Sequence, residues 1–142
     1  MTDVVTPEER SRIMAAVRSR DTAPEKSVRS LLHRMGYRFR LHRRDLPGCP
    51  DIVLPRFRLV IFVHGCFWHR HPGCGLARIP KTRVRFWTDK LEGNRARDLR
   101  NQAGLRDLGW SVLVVWECEL RDMELLEDRI RDTLKARESE IG

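Results

Sequence analysis

The sequence predicts an α/β fold in which a mixed β-sheet is flanked by helices. Two capped helix starts open the chain, β-rich segments follow between residues 37 and 63, and residues 110–116 form a nearly unbroken apolar run. This order of elements implies a mixed sheet. At 142 residues, with 41% apolar and 34% charged side chains, the chain should form a single globular domain. We divide this domain, residues 1–142, into an N-terminal helical arm (1–20) and a core (21–137).

Two helices are predicted at the start of the chain. Thr6 and Glu9 form a capping box with proline at the first helical position, and the helix should extend to about Arg18. Thr22 and Glu25 repeat this arrangement and begin a second helix. Gly36 is placed to end that second helix.

Three strands are predicted in the middle of the chain. Residues 37–42 alternate Tyr, Phe and Leu with Arg and His, as in a strand with one face in water. Residues 52–54 and 59–63 are rich in β-forming side chains, and Pro55-Arg56-Phe57-Arg58 between them predicts a hairpin. A turn centred near Phe57 would place Asp51 across from Val63.

A long helix, a strand and a final helix complete the predicted fold. The long helix should extend from about Thr82 to Leu108, with Gly109 just beyond its end. Residues 110–116 are typical of a central strand that is covered on both faces. Residues 123–137 predict an amphipathic helix.

Positive charge is concentrated in the first part of the chain. Residues 1–106 carry 23 Lys and Arg against 10 Asp and Glu, whereas residues 107–142 carry 5 against 10. This asymmetry favours a polyanionic partner, of which nucleic acid is the commonest, although a basic surface can also serve solubility alone. No segment is long and apolar enough to span a membrane, and no secretory leader opens the chain, so we expect a cytosolic protein.

Four side chains are predicted to form one zinc site. Cys66, His71 and Cys74 lie close together in the sequence, and Cys118 follows the last predicted strand. Structural zinc takes four sulfur or nitrogen ligands in tetrahedral geometry, so this set would close the site and make the zinc structural rather than catalytic. Buried cysteines without a metal or a disulfide are the alternatives, and a disulfide does not suit a cytosolic chain.

A second cation site is predicted where the hairpin strands end. An acid at a strand start, facing the terminal histidine of the next strand, could hold Mg²⁺ through oxygen ligands, and Asp51 and His64 have this placement. An Asp after a proline is also a common turn residue. His64 and His69 fall outside the zinc set, and either could be a general base or an ordinary surface histidine. Cys49 is interpreted as a plain thiol in a turn.

Two pairs of adjacent aromatic residues stand in polar, arginine-rich segments. Phe67 and Trp68 belong to the cysteine-containing segment, and Phe86 and Trp87 belong to the predicted long helix. Such side chains could stack on bases or wedge between them. The alternative is that Trp68 shields the zinc and Trp87 anchors the helix in the core.

Several motifs together resemble the very short patch repair (Vsr) endonucleases. They are Arg20-Asp21-Thr22-Ala23-Pro24-Glu25-Lys26, Pro47-Gly48-Cys49-Pro50-Asp51, Val60-Ile61-Phe62-Val63-His64-Gly65-Cys66-Phe67-Trp68-His69, Pro80-Lys81-Thr82-Arg83, Asn94-Arg95-Ala96-Arg97-Asp98 and Val112-Leu113-Val114-Val115-Trp116-Glu117-Cys118. The resemblance implies a restriction-endonuclease-like core with a structural zinc site. Pro50 and Asp51 retain the start of the PD-(D/E)xK motif of that fold, whereas Phe62-Val63-His64 stands in place of Glu-x-Lys.

The resemblance also implies an activity. Such an enzyme nicks DNA beside a thymine mispaired with guanine, as left by deamination of 5-methylcytosine, and thereby starts short-patch resynthesis. Mg²⁺ would be held by Asp51 and the backbone carbonyl of Val63. His69 would be the base for the attacking water, oriented by Glu25. His64 and Asp98 would bind metal-coordinated water or the scissile phosphate.

Contacts and partners follow from the same resemblance. The implied partner is double-stranded DNA that contains a T:G mismatch, in the bacterial nucleoid, with a functional link to mismatch-repair proteins and a cytosine-5 DNA methyltransferase. A small chain without an evident dimer seam favours a monomer. The DNA-contacting residues implied are Met14, Phe67, Trp68, Lys81, Arg83, Trp87 and Asn94.

Two other functional classes share many of these features. A zinc-stabilised DNA-binding module would use the arginines, the aromatic pairs and the Cys/His set. It would not need the combination of Asp51, His64, His69 and Glu25. A related restriction-type endonuclease would cut both strands of a matched site, whereas the aromatic pairs favour a mismatch wedge. Val63 stands where the family often has Thr, a change that keeps the carbonyl ligand and removes a hydroxyl. Cys49 stands where a basic residue is common, which leaves the preferred flanking sequence open.

Overall fold

The computed structural model describes residues 22–141, and the first predicted helix and Met14 lie outside this range. The described part of the chain contains three helices and four strands. The helices are α1 (Ala23–Arg34), α2 (Val84–Asp107) and α3 (Met123–Ile141), and the strands are β1 (Arg40–Leu41), β2 (Ile52–Leu54), β3 (Leu59–His64) and β4 (Ser111–Trp116). Short 3₁₀ turns occupy Pro55–Phe57, Gly75–Ala77 and Glu117–Arg121.

Helix α1 begins at its predicted cap. The hydroxyl of Thr22 accepts a hydrogen bond from the Glu25 amide at 3.4 Å, and Pro24 stands in the first turn, where its missing N–H is not needed. Gly36 follows the helix with φ of 87°, a left-handed conformation that glycine adopts without strain. The cap therefore places Glu25 in the first turn, at the edge of the site described below.

The four strands form one mixed sheet in the order β1-β2-β3-β4. The pairs β1–β2 and β2–β3 are antiparallel, whereas β3 and β4 are parallel. A parallel pair needs a long crossover connection, and α2 supplies it. The prediction of a mixed sheet flanked by helices is confirmed.

Both faces of the sheet are covered, because successive side chains of β3 point into two different cores. Leu59 and Ile61 pack with α1 and α3, whereas Val60 and Phe62 pack on the α2 side. The first core also contains Val28, Leu31, Leu32, Ile52, Leu54, Leu113, Val115, Leu126, Ile130 and Leu134, and the second contains Leu46, Val53, Leu105 and Trp110. His64 continues the Val60–Phe62 face at the end of β3, and it leads directly into the candidate site.

Two strand predictions need correction. Of residues 37–42 only Arg40 and Leu41 pair with β2, because β2 itself has only three residues; Tyr37 and Phe39 still pack against the core. The apolar run at residues 110–116 forms β4, but it is an edge strand of the described sheet and not a central one. Its composition reflects coverage of both faces by the two cores, which a sheet edge also allows.

The predicted hairpin is present with its register shifted by one residue. Ile52 pairs with Ile61, so position 51 is level with Phe62 and not with Val63. The cause is the turn, in which three 3₁₀ residues are followed by Arg58 at φ of 47°. This short turn moves the centre of the hairpin just ahead of Phe57.

The later helices agree closely with prediction. α2 starts at Val84 because Arg83 has φ of 55°, outside the helical region, and Gly109 follows the helix with φ of 90°. α3 extends to Ile141, beyond the predicted end at residue 137. Among residues 22–141, no helix combines the length and apolar content needed to cross a membrane.

Candidate functional site

The carboxylate of Asp51 lies between the start of β2 and the end of β3. Its Oδ2 atom accepts a hydrogen bond from the amide of Val63 at 2.8 Å. Burial raises the pKa of Asp51 to about 6; the Val63 amide opposes this rise, and the nearby Glu25 carboxylate adds to it. A desolvated carboxylate is stabilised by a cation, and oxygen ligands of this kind suit Mg²⁺.

His64, His69 and Asp98 form a second group beside Asp51. The rings of His64 and His69 are stacked with their centroids 3.8 Å apart, and Nδ1 of His69 is hydrogen-bonded to Oδ2 of Asp98 on α2. His64 is only 4% exposed, and its Nδ1 atom is buried without a hydrogen-bond partner among the described residues. Burial lowers the pKa of His64 to about 3, and His69 acts in the same direction. His64 is therefore neutral at physiological pH.

A cavity of about 200 Å³ joins these groups. It is lined by Asp51, His64, His69 and Asp98, together with Gly48, Phe62, Val63, Asn101 and Gln102. Four of the predicted site residues therefore converge on one concave surface. A buried carboxylate, a His–Asp pair and a second histidine on one concave surface are groups that could serve metal-assisted hydrolysis.

Glu25 lies near this cavity and contacts Arg29 and His42. Its Oε2 atom accepts a hydrogen bond from Arg29 at 3.0 Å and lies 3.2 Å from Nε2 of His42. The carboxylate that holds His69 is that of Asp98. In the structure α1 brings Glu25 to Asp51 and His42, and α2 supplies the hydrogen-bond partner of Nδ1 of His69. The predicted orientation of His69 by Glu25 stays a prediction.

His42 is a residue of this site that sequence reasoning missed. Its own N–H donates to the Asp51 carbonyl at 3.2 Å, and its side chain contacts Glu25. Glu25, His42 and Asp51 each place one ligand atom within 4.8 Å of the others, so this group could hold a metal ion. The alternating pattern assigned His42 to the wet face of a strand. The strand ends at Leu41, and φ of 47° at His42 takes the chain out of that alternation.

The four predicted zinc ligands come together in the structure. Cys66, His71, Cys74 and Cys118 each place a ligand atom within 4.8 Å of the others, and none of the thiols is in a disulfide. Burial raises the pKa of Cys66 to about 12, whereas the Leu76 amide lowers the pKa of Cys74. A divalent cation among these atoms would stabilise the thiolates, and three sulfurs with one imidazole nitrogen fit zinc.

Contacts beyond the ligands hold this cluster against the end of β4. The ring of His71 stacks on Trp116 with centroids 4.1 Å apart, and the Cys66 amide donates to Oε1 of Glu117 at 3.0 Å. We call residues 65–74 the cluster loop. Because His69 also belongs to this loop, the four-residue cluster and the cavity beside Asp51 share one segment of backbone.

The three aromatic residues of the predicted wedge pack together in one cluster, and one of the three rings is buried. Ring centroids are 4.9 Å apart for Phe67 and Trp68, 5.5 Å for Phe67 and Trp87, and 5.9 Å for Trp68 and Trp87. Trp87 is 6% exposed and belongs to the core, as the alternative interpretation held, whereas Phe67 and Trp68 are partly exposed. Trp87 is therefore placed to support the other two rings.

The remaining predicted DNA contacts differ in their surroundings. Asn94 donates one side-chain N–H to the Trp68 carbonyl at 3.1 Å and is partly exposed, so α2 is tied to the segment that carries Trp68. The guanidinium of Arg83 lies over the ring of Phe86 at 4.5 Å, and both Arg83 and Lys81 are exposed. Lys81 and Arg83 are thus open to solvent ahead of α2.

Known proteins with similar sequences are DNA-cleaving enzymes. Residues 2–74 match the family model described as DNA mismatch endonuclease Vsr. The chain is 60% identical over 134 residues to the type II nicking enzyme V.XorIIP of Xanthomonas oryzae pv. oryzae. That alignment covers 94% of this chain and 98% of V.XorIIP. It is 49% identical over 128 residues to the DNA mismatch endonuclease Vsr of Escherichia coli K12, with 90% of this chain and 81% of that protein covered.

A solved structure supports the fold independently. The catalytic domain of the homing endonuclease I-Bth0305I superposes with a TM-score of 0.58 at 20% identity, over 82% of this chain and 98% of that domain. At this identity the likeness concerns the fold alone. It agrees with the restriction-endonuclease-like core that the sequence motifs implied.

Proposed function

The chain belongs to the Vsr family of DNA mismatch endonucleases, and we propose that it nicks one strand of duplex DNA beside a T:G mismatch in an Mg²⁺-dependent reaction. The observation that carries this proposal is the cavity in which Asp51, His64, His69 and Asp98 converge. A DNA-binding module without catalysis would have no need for such a cavity. The aromatic cluster beside it supports mismatch recognition, because a mispaired base is opened at lower cost than a paired one.

Duplexes that differ at one base pair test the proposal. T:G, T:A and C:G pairs would be placed in one sequence context, each strand would be labelled separately, and Mg²⁺ would be present. We expect cleavage of the thymine-containing strand of the T:G duplex alone. Cleavage of both strands of a matched duplex would indicate a restriction-type enzyme, and binding without cleavage would indicate a DNA-binding module.

The residues of the cavity can be given distinct roles. Asp51 and the backbone carbonyl of Val63 would hold Mg²⁺, which when bound polarises phosphate oxygens and eases deprotonation of water. Asp98 holds Nδ1 of His69, which leaves Nε2 to accept the proton of the attacking water. His64 is neutral and stacked on His69, so it can donate a hydrogen bond to the scissile phosphate without placing a second positive charge beside His69.

Cys66, His71, Cys74 and Cys118 would hold one Zn²⁺. Four protein ligands leave no open coordination position, so the zinc would stabilise the cluster loop and take no part in the reaction. We further propose that the enzyme works as a monomer in the bacterial nucleoid. Because T:G mismatches arise from 5-methylcytosine, its work is linked to a cytosine-5 DNA methyltransferase and to mismatch-repair proteins.

His69→Ala should lower the single-turnover nicking rate by roughly 10²–10⁴-fold, the usual contribution of a general base. Affinity for the T:G duplex should stay close to wild type, since the change removes a proton acceptor and not a binding surface. The matched control is His33→Ala, because His33 is exposed and packs edge-on against Phe39, away from the cavity. An unchanged rate in His69→Ala would move the role of the base to His64 or to metal-bound hydroxide alone.

Trp68→Ala should reduce the preference for T:G over T:A duplexes by roughly tenfold or more, because one base–aromatic stack contributes about 1–3 kcal/mol. Binding of both duplexes would be measured without Mg²⁺. Zinc content and melting temperature should remain near wild type, since Trp68 is partly exposed. Loss of zinc or of folding in this variant would show that the ring is structural and that mismatch recognition lies elsewhere.

A further inference from the structure

Three arginines surround a second concavity next to the cluster loop. Arg70, Arg78 and Arg95, which we call the arginine notch, line a space of about 330 Å³ together with His71, Pro72, Gly73, Cys74, Gly75 and Ala77. No Asp or Glu is among the residues that line it. Arg78 and Arg95 are exposed, so their guanidinium groups are available to an anion from solution.

The arginine notch is continuous with the catalytic residues. Arg70 and Arg95 also line a space of about 220 Å³ whose other wall includes His64, His69 and Asp98. Two of the arginines are close in sequence to residues of the cavity. Arg70 follows His69 directly, and Arg95 precedes Asp98 by three residues on α2, which puts both on the same helix face.

Arg70 forms an ion pair with Glu92 and makes no hydrogen bond through its Nη1 atom to the described residues. The Nη1 atom of Arg70 lies 3.5 Å from Oε1 of Glu92, which makes an ion pair. This Nη1 atom is buried and forms no hydrogen bond to any of the described residues. Glu92 is half-exposed, so the pair is only weakly attractive. The partly exposed side chain of Arg70, beside the two exposed arginines, completes a donor set that suits an anion with several oxygens.

We propose that the arginine notch binds a backbone phosphate of the strand to be cut, next to the scissile phosphate. The strand would pass from the catalytic cavity over Arg70 and Arg95 towards Arg78. This inference rests on the proposed function, because a strand that is cut at His69 must continue along an adjoining surface. Phosphate contacts set the register of the duplex without reading its sequence. The notch would therefore position the scissile bond, while the aromatic cluster selects the mismatch.

The salt dependence of DNA binding tests the notch. The variants R70Q, R78Q and R95Q would be titrated with a T:G duplex and a T:A duplex, without Mg²⁺, over a series of KCl concentrations. Each lost phosphate contact should make the slope of log K against log salt shallower by about 1, and it should weaken both duplexes equally. R56Q is the matched control, because Arg56 lies in the turn at the opposite end of β2 and β3 from Asp51 and His64.

Uncharged methylphosphonate linkages in the DNA would show which backbone phosphate the arginine notch binds. Single methylphosphonates would be placed at successive positions on either side of the scissile phosphate. At one position wild type should lose affinity while R95Q, already without that contact, should not. Slopes equal to those of wild type and R56Q in all three variants, or no position with such a non-additive effect, would overturn the proposal. Because R78Q and R95Q change exposed side chains, they keep the test valid if R70Q disturbs the cluster loop.

The two hypotheses can fail separately. If wild type does not nick T:G duplexes but the notch variants still show shallower salt slopes, the proposed function is wrong and the phosphate site stands. If wild type nicks T:G duplexes and the notch variants keep the wild-type slope, the proposed function stands and the notch is wrong. Melting temperature and zinc content of each variant would be measured alongside.

Discussion

Asp51→Asn should abolish nicking of T:G duplexes while leaving affinity for them within a few-fold of wild type. The amide oxygen of Asn can still accept the hydrogen bond from Val63, so the local structure is retained. The negative charge that we propose holds Mg²⁺ is lost. Single-turnover cleavage over a range of Mg²⁺ concentrations, with binding measured in parallel, gives the result. Retained cleavage at any Mg²⁺ concentration would remove Asp51 from the metal site.

The same substitution should stabilise the chain at neutral pH in the absence of Mg²⁺. Burial raises the native pKa of Asp51 from 3.8 to about 6, so the native state binds a proton more tightly than the unfolded state does. The contribution of Asp51 to stability is therefore fully present below pH 3.8 and is lost as the pH rises through 6. Asn resembles the protonated acid, so the variant should exceed wild type by up to roughly 3 kcal/mol above that range.

Urea unfolding of wild type and Asp51→Asn at pH 4.5 and pH 8 would check this sign. The stability difference should be small at pH 4.5 and larger at pH 8. Wild-type nicking should correspondingly need more Mg²⁺ below pH 6, because protons then compete for the carboxylate. A stability difference that does not change with pH would show that the Asp51 carboxylate is not desolvated in the native state.

Cys118→Ser should remove the zinc and unfold much of the chain at growth temperature. Cys118 lies in the turn after β4 and joins the cluster loop to the sheet, so its loss breaks the site across two distant segments. Structural zinc contributes about 10–16 kcal/mol of apparent binding free energy in small zinc peptides, comparable to the roughly 5–15 kcal/mol of a whole domain. Metal analysis should find about one zinc per wild-type chain and none in the variant.

Cys49→Ser is the matched control for this experiment. Cys49 is also a free thiol, but it lies outside the four-residue cluster. Its substitution should change neither zinc content nor melting temperature by much. Equal zinc content in wild type and Cys118→Ser, or wild-type protein purified without chelator that contains no zinc, would contradict the assignment.

Features that depend on neighbouring residues could be predicted from the sequence. The cap at Thr22, the end of the long helix at Gly109 and the hairpin around Phe57 are set by local backbone preferences. The grouping of Cys66, His71, Cys74 and Cys118 could be predicted because few ligand combinations suit a closed metal site. Asp51, His64 and His69 could also be identified from the sequence, because they are chemically distinctive side chains at strand ends or in a short loop.

Other features were decided by the packing of segments that are far apart in the chain. Whether Glu25 or Asp98 holds His69 depends on where α1 and α2 lie against the sheet, and both are carboxylates in helices. The burial of Trp87 depends likewise on which face of α2 meets the cluster loop. Local patterns state what a segment can form, whereas the partner of a side chain is chosen by the tertiary arrangement that buries the most apolar surface and leaves the fewest polar groups unpaired.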